Sequence, residues 1–134
     1  MATITANVTR KYSDLDLNFT VHPIKKDINK NVDAMAVINS IKNLILTNHY
    51  ERPFQPSVGC NVQKLLFDNM DNITAIAIKR EILQTIQNFE PRVGIETISV
   101  KPDFENNSFS VDMRFYIVNQ TTPVTIQFFL ERAR

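Results

Sequence analysis

Glu90, Pro91 and Arg92 place one carboxylate and one guanidinium two residues apart, where a helical pattern gives way to alternating strands. Two kinds of chemistry use such a pair. A carboxyl kept protonated by apolar surroundings serves as the general acid of glycoside hydrolysis, if a second carboxyl faces it across a cleft at about 5–9.5 Å. A planar guanidinium, alternatively, grips a carboxylate through two parallel hydrogen bonds. Arg92 beside Glu90 favours the ionised carboxylate, the wrong direction for an acid. Spacing assigns Glu90 no facing carboxyl, so catalysis is not expected. A local ion pair at a turn and a partner-facing surface both remain open. The sharper expectation is that Glu90, Pro91 and Arg92 project toward a partner, helped by Arg52.

Other reactive residues are sparse. His22 and His49 form no metal-ligand spacing with Cys60, and no Gly-x-Ser-x-Gly elbow occurs. Cys60 lacks the flanks of a nucleophilic cysteine and reads as a small buried thiol. Only two glycines, Gly59 and Gly94, are present, too few for a phosphate-cradling loop or a dinucleotide fingerprint. No cofactor and no metal are implied.

The elements that hold these residues follow from periodicity. Residues 1–15 are polar and are expected to be an arm that is disordered or ordered only by a neighbour, leaving 16–134 as one domain. Leu17, Phe19 and Val21 alternate with polar residues and predict a strand stopped by Pro23. Asp33 is placed to cap a helix through Thr47, with Val37, Ile38, Ile41, Leu44 and Ile45 on one face. Residues 48–60 carry Pro53, Pro56 and Gly59 and predict an irregular connection whose Phe54 tucks into the core. Asn61 is expected to cap a short helix to Phe67. A longer helix starts at Asn72 or Thr74 and buries Ile78, Ile82, Ile86 and Phe89. Proline disfavours helical geometry in the residue before it, so Glu90 should end that helix.

From Val93 the period becomes two. Val93 and Ile95 are out of phase with Ile98 and Val100, which predicts a bulge or a late start. Phe109 to Ile117 and Val124 to Leu130 alternate strictly, with turns at 103–108 and 119–123. The fold class is α+β, two to three helices on a mainly antiparallel sheet ending in a three-stranded β-meander. Its last strand, carrying Val124, Ile126 and Phe128 on one face and Phe129 on the other, reads as an unprotected edge that invites another chain's strand.

With 134 residues and 43% hydrophobic content, one core can form without disulfides. Fifteen basic against 14 acidic residues give a net charge of +1, which supplies no concentrated basic surface for nucleic acid. No apolar run approaches the roughly 20 residues that span a bilayer, and no secretory leader pattern opens the chain. A reducing cytoplasm is expected at synthesis.

The order of Glu51-Arg52-Pro53-Phe54, Pro56-Ser57-Val58-Gly59-Cys60, Leu65-Leu66-Phe67, the helix into Asn88-Phe89-Glu90-Pro91-Arg92-Val93 and the closing meander resembles the baseplate wedge, or sheath-initiator, proteins of contractile phage tails. Relatives of that family occur in type VI secretion baseplates and contractile bacteriocins, and the family was once labelled lysozyme-like. The resemblance covers roughly residues 12 to 131. It implies a structural subunit present in several copies in a symmetric baseplate, located in the virion tail and, during assembly, in the host cytoplasm. The implied partners are other wedge proteins with a helical core bundle, docked near Glu90-Pro91-Arg92, and tail sheath subunits. A tail-associated glycosidase and a type VI secretion adaptor are the alternatives.

Overall fold

The computed structural model describes residues 12–16, 18–28, 30–118 and 120–132. Two short strands, β1 (Ser13–Leu15) and β2 (Lys30–Val32), pair antiparallel ahead of three helices, α1 (Ala34–Leu46), α2 (Val62–Leu65) and α3 (Asn72–Phe89). The chain then runs through β3 (Val93–Asp103), β4 (Ser108–Ile117) and β5 (Val124–Glu131) as an antiparallel meander of order β3-β4-β5. The α+β expectation holds. The core lies between helices and meander: Val37, Ile41 and Ile45 of α1 and Ile78, Ile82 and Ile86 of α3 meet Ile98, Phe109, Val111, Met113, Phe115, Ile126 and Leu130.

The expected change of phase in β3 is a register shift between Ile95 and Thr97, with Glu96 as the extra residue. A single unpaired residue inverts the alternation, so Val93 and Ile95 share the buried side with Ile98 and Val100 despite their odd spacing. α3 starts at Asn72, one of the two expected positions, and Asp71 caps it by accepting from the Thr74 N–H at 2.7 Å. Asp33 and Asn61 do precede α1 and α2, yet neither side chain makes a capping bond. Asp33 is held through its backbone, whose N–H donates to the Tyr12 carbonyl at 2.7 Å. Glu90 follows the last residue of α3, its N–H still bonded to the Ile86 carbonyl at 2.9 Å.

Two expectations fail, and a third falls mostly outside the described residues. The strand across Leu17, Phe19 and Val21 does not form: Leu17 lies outside the described residues, and Phe19 and Val21 are exposed. Asp16 turns the chain there, its carboxylate accepting from Asn18 N–H and its carbonyl from Phe19 N–H, and this competes with extension. Of the arm expected over 1–15, residues 1–11 lie outside the described residues, while Tyr12 packs on the core and residues 13–15 form β1. Phe54 is 97% exposed rather than tucked in. Its loop closes on its own backbone, Tyr50 N–H to Pro56 carbonyl and Cys60 N–H to Thr47 carbonyl, and turns the ring outward. Gly59 makes that closure feasible: its φ is 143°, and a Cβ there would stand 2.7 Å from the Asn48 carbonyl carbon.

Candidate interaction surfaces

The corner after α3 gathers four side chains. Glu90 is 2% exposed. Both carboxylate oxygens are engaged, one by Arg92 Nε and the other by Arg92 Nη2 at 2.8 Å and by Ser40 Oγ of α1 at 2.5 Å. The Arg92 guanidinium also lies over the Tyr12 ring, 5.1 Å from its centroid, in cation–π geometry. Burial pushes the Glu90 carboxyl up, but the hydrogen bonds from Arg92 and Ser40 and the Arg92 charge outweigh it and hold the group below its ordinary range. Arg92 is pushed up, chiefly by its hydrogen bond to Glu90.

Glu90 therefore turns inward rather than toward a partner. A carboxylate at the negative end of α3 needs a cation, and Arg92, across the proline turn, is near enough to supply it. Pro91 stays exposed and Arg92 keeps 29% of its side chain in solvent, so these two form the outer surface of the corner. Ser40 and Tyr12 carried no sequence signal for this role, because both reach the corner only through the packing of α1 and β1.

Arg52 stands nearby on a polar groove of about 450 Å³, which it lines with Ser40, Asn43, Gln55, Asn88 and Asp14. Its guanidinium has no hydrogen bond or ion pair among the described residues. The two arginines thus flank one region through Ser40, and of the two Arg52 is the one without a partner among the described residues.

The second surface is backbone. Arg132 N–H donates to the Asn107 carbonyl at 3.3 Å, one step beyond the Ser108↔Glu131 pair, so Arg132 faces β4. Successive strand residues direct their N–H groups to opposite sides, and the eight β4–β5 pairs run without a shift. Val124, Ile126, Phe128 and Leu130 therefore bond toward β4, while Thr125, Gln127, Phe129 and Glu131 direct their donors to the open edge. The Val118 N–H bond to the Arg92 carbonyl at 2.9 Å gives the same parity from the other end of β4. As side chains, Val124, Ile126 and Phe128 point into the core, not to a partner; Ile126 is buried and the other two half-buried.

The opposite edge of the sheet is blunted. After its bulge, β3 directs the backbone groups of Ile98, Val100 and Pro102 to the open edge, and Pro102 has no N–H to offer. A bulge and an outward proline are both devices that stop strand addition. β5 has neither. A groove of about 400 Å³ runs beside it, lined by Ile45, Leu46, Val62, Leu66, Phe67 and Phe129.

The remaining reactive residues are structural. His22 Nδ1 accepts from Ile24 and Lys25 N–H groups in a turn, and His49 sits 3.9 Å from Glu81. Burial pushes the Cys60 thiol up, away from the thiolate that a nucleophile needs. Among the described residues no three His, Cys, Asp or Glu side chains gather to hold a metal ion, and no helix is long and apolar enough to cross a membrane.

The family described as baseplate wedge protein gp25 matches residues 32–121. Baseplate wedge protein gp25 of Enterobacteria phage T4 is 31% identical over 114 residues, covering 85% of this chain and 86% of that protein. Among solved structures, a chain of the anti-feeding prophage baseplate superposes with TM-score 0.64 at 16% identity over 92% of this chain and 88% of its own. A Geobacter sulfurreducens chain labelled a tail lysozyme gives 0.67 at 19% identity over 73% and 89%. Identities this low show a shared fold, and the lysozyme label does not travel with them. The match of family and sequence over most of the length shows that this chain belongs to the baseplate wedge protein gp25 family.

Proposed function

We propose that this chain is a non-enzymatic adaptor of a contractile-tail baseplate, docking other wedge proteins at one surface and starting the sheath at another. The unprotected β5 edge carries this proposal, since four outward donors in a row, at Thr125, Gln127, Phe129 and Glu131, suit a strand donated by a sheath subunit. Main-chain bonds tolerate sequence change in both partners, which suits a junction between two different assemblies. The docking surface comprises Arg52, Pro91 and the outer part of Arg92, with Glu90 fixing Arg92 from beneath. A carboxylate of the wedge core bundle is the expected mate of Arg52.

The opposing enzymatic proposal would use Glu90 as general acid. Its burial, its occupied oxygens and its downward-held pKa all oppose that role. Gln127→Pro tests the edge: it removes one outward donor and leaves the bonds to β4 intact. The variant should fold and enter the wedge while the first sheath ring fails to form. Normal sheath nucleation by folded Gln127→Pro and Thr125→Pro variants would overturn strand addition here. Arg52→Glu tests the other surface and should block wedge incorporation without unfolding the domain, because truncating one half of a desolvated interfacial pair costs about 2–5 kcal/mol.

A further inference from the structure

We infer that Phe54 is an apolar anchor of wedge docking: it enters a pocket on another wedge protein that has apolar walls and, at its rim, a carboxylate that meets Arg52. This rests on the docking surface proposed above and names the chemistry that the partner must bring. Phe54 is 97% exposed, and Tyr50, in the same loop, 82%. One exposed ring on a surface is ordinary. Here two rings are held out by a backbone that has little freedom to do otherwise.

The loop is a stack of turns. Gln55 N–H donates to the Arg52 carbonyl at 3.3 Å, which makes Arg52 to Gln55 a β-turn with Pro53 and Phe54 at its centre. A second turn follows at once, Val58 N–H to the Gln55 carbonyl at 3.1 Å, and Tyr50 N–H to the Pro56 carbonyl at 2.9 Å ties the two together. At the base, Asn48 N–H donates to the Glu51 carboxylate at 2.8 Å. Tyr50 takes a φ of 69°, a left-handed conformation that a bulky residue enters only when its surroundings hold it there. The holding is done by backbone bonds, and the ring gains no burial from it. A loop fixed before its partner arrives loses little freedom on binding.

The turn also decides what lies beside the ring. Its first and last residues stand within about 7 Å of each other, and both, Arg52 and Gln55, line the polar groove of about 450 Å³. Asn43 and Asn88 line it too and make no side-chain hydrogen bond among the described residues, while Asp14 there already accepts from the Leu15 N–H at 2.9 Å. Ser40 joins this groove to the Glu90–Arg92 corner. A surface that receives Phe54 therefore also covers the groove, where a cation and three carboxamides have no acceptor. A carboxylate meets that need, gripped by the guanidinium fork with amide N–H groups beside it. Aromatic rings and arginines are the residues enriched at the buried centres of interfaces.

The test uses the full chain, the co-expressed wedge proteins of the same tail as probe, and the variants Phe54→Ser and Arg52→Glu. Because its ring is in solvent, Phe54→Ser should keep the parental unfolding transition yet enter the wedge at least tenfold more weakly, the low end of what burying one phenyl side chain contributes. Arg52→Glu should fail as well. A benzophenone amino acid at position 54 should crosslink to apolar residues of another wedge protein that have an Asp or Glu beside them. If Phe54→Ser docks like the parent while Arg52→Glu does not, the anchor inference falls and the docking proposal stands. If both variants dock normally, both fall. If only Phe54→Ser fails, the carboxylate at the rim is wrong and the inference is overturned as stated. Crosslinks to the sheath subunit, or to a polar surface of a wedge protein, overturn it too. So does binding of the parent chain, but not of Phe54→Ser, to phosphatidylglycerol vesicles with wedge docking unchanged, since the ring would then serve a lipid surface.

Discussion

At the Glu90–Arg92 corner both carboxylate oxygens are taken up inside the chain, whereas along β5 a row of backbone donors is left for something outside it. The corner resembles an interface in sequence and is mainly a brace; the edge consists of ordinary strand residues and is the more open surface. A buried charge must be paired within the folded domain, because an isolated one is too costly to keep. An unpaired strand edge stays in contact with water and costs little until a partner arrives. Charged motifs at forced helix ends therefore report first on the fold, and unprotected edges report on assembly.

Removing the brace should have the largest effect. Arg92→Ala leaves a 2%-exposed carboxylate with Ser40 as its remaining partner. Breaking one half of a buried pair costs about 3–5 kcal/mol. Because Arg92 is partly in water, the expected loss is near the lower end, about 3 kcal/mol, measured by urea unfolding at pH 7. Arg92→Ala combined with Glu90→Gln should recover part of it, because no unpaired charge remains. A single-variant loss below about 1 kcal/mol would place the corner among ordinary exposed ion pairs and erase its contrast with the edge.

A smaller difference should separate neighbouring positions on β5. Proline at Phe128, measured against alanine there to allow for the lost ring, removes a bond toward β4 and orphans its acceptor, a cost of about 1–3 kcal/mol. Proline at Gln127 removes a donor that faces outward, so its cost should be well under that. Thermal unfolding of the two variants side by side checks the parity. Equal destabilisation would mean that the outward donors are misassigned and that the β5 edge is less open than its ladder indicates.

The corner and the edge should also part with acid. Glu90 has its folded-state pKa below its ordinary 4.5, so the unfolded chain binds the extra proton first as pH falls. The brace contributes fully above about pH 4.5, and its contribution is lost as pH drops through the lower folded value. One such group gives a slope of at most about 1.4 kcal/mol per pH unit. Glu90→Gln should flatten that limb, while Gln127→Pro should retain it. An unchanged acid limb in Glu90→Gln would show that other carboxylates set it.

Much of this architecture was legible in the residues because period and punctuation agree there. The stripes of α1 and α3, the strict alternation of β4 and β5 and the phase slip at Glu96 are local signals that packing then obeys. Phe19 and Val21 misled because alternation was present but Asp16 offered the backbone a turn. Phe54 misled because hydrophobicity says nothing of how a proline-rich loop closes, and here closure on Thr47 and Pro56 turned the ring out. At the corner the pairing of Glu90 with Arg92 was readable, but its burial was not, since Ser40 and Tyr12 are supplied by elements far away in the chain. The apolar groove was equally hidden, being assembled from the ends of α1, α2 and β5.

The smallest expected effect comes from making the two edges alike. Glu96 deletion with Pro102→Thr would remove the bulge and restore the missing outward donor, giving β3 an uninterrupted edge like that of β5. The folded domain should lose no more than about 1 kcal/mol, since what disappears is the exposed Arg114–Glu96 pair at 3.1 Å. A regular edge is a template for pairing, so the variant should show weak, concentration-dependent self-association in sedimentation velocity, beyond any seen for the parent chain. Adding Thr125→Pro and Gln127→Pro to the same variant separates the two sides. Association through β3 survives those changes, and association through β5 does not. If the straightened β3 gains no self-association even at high concentration, bulge and proline are not what keeps that edge closed. The difference between the two edges would then lie with α3, which packs more closely on β3 than any helix packs on β5.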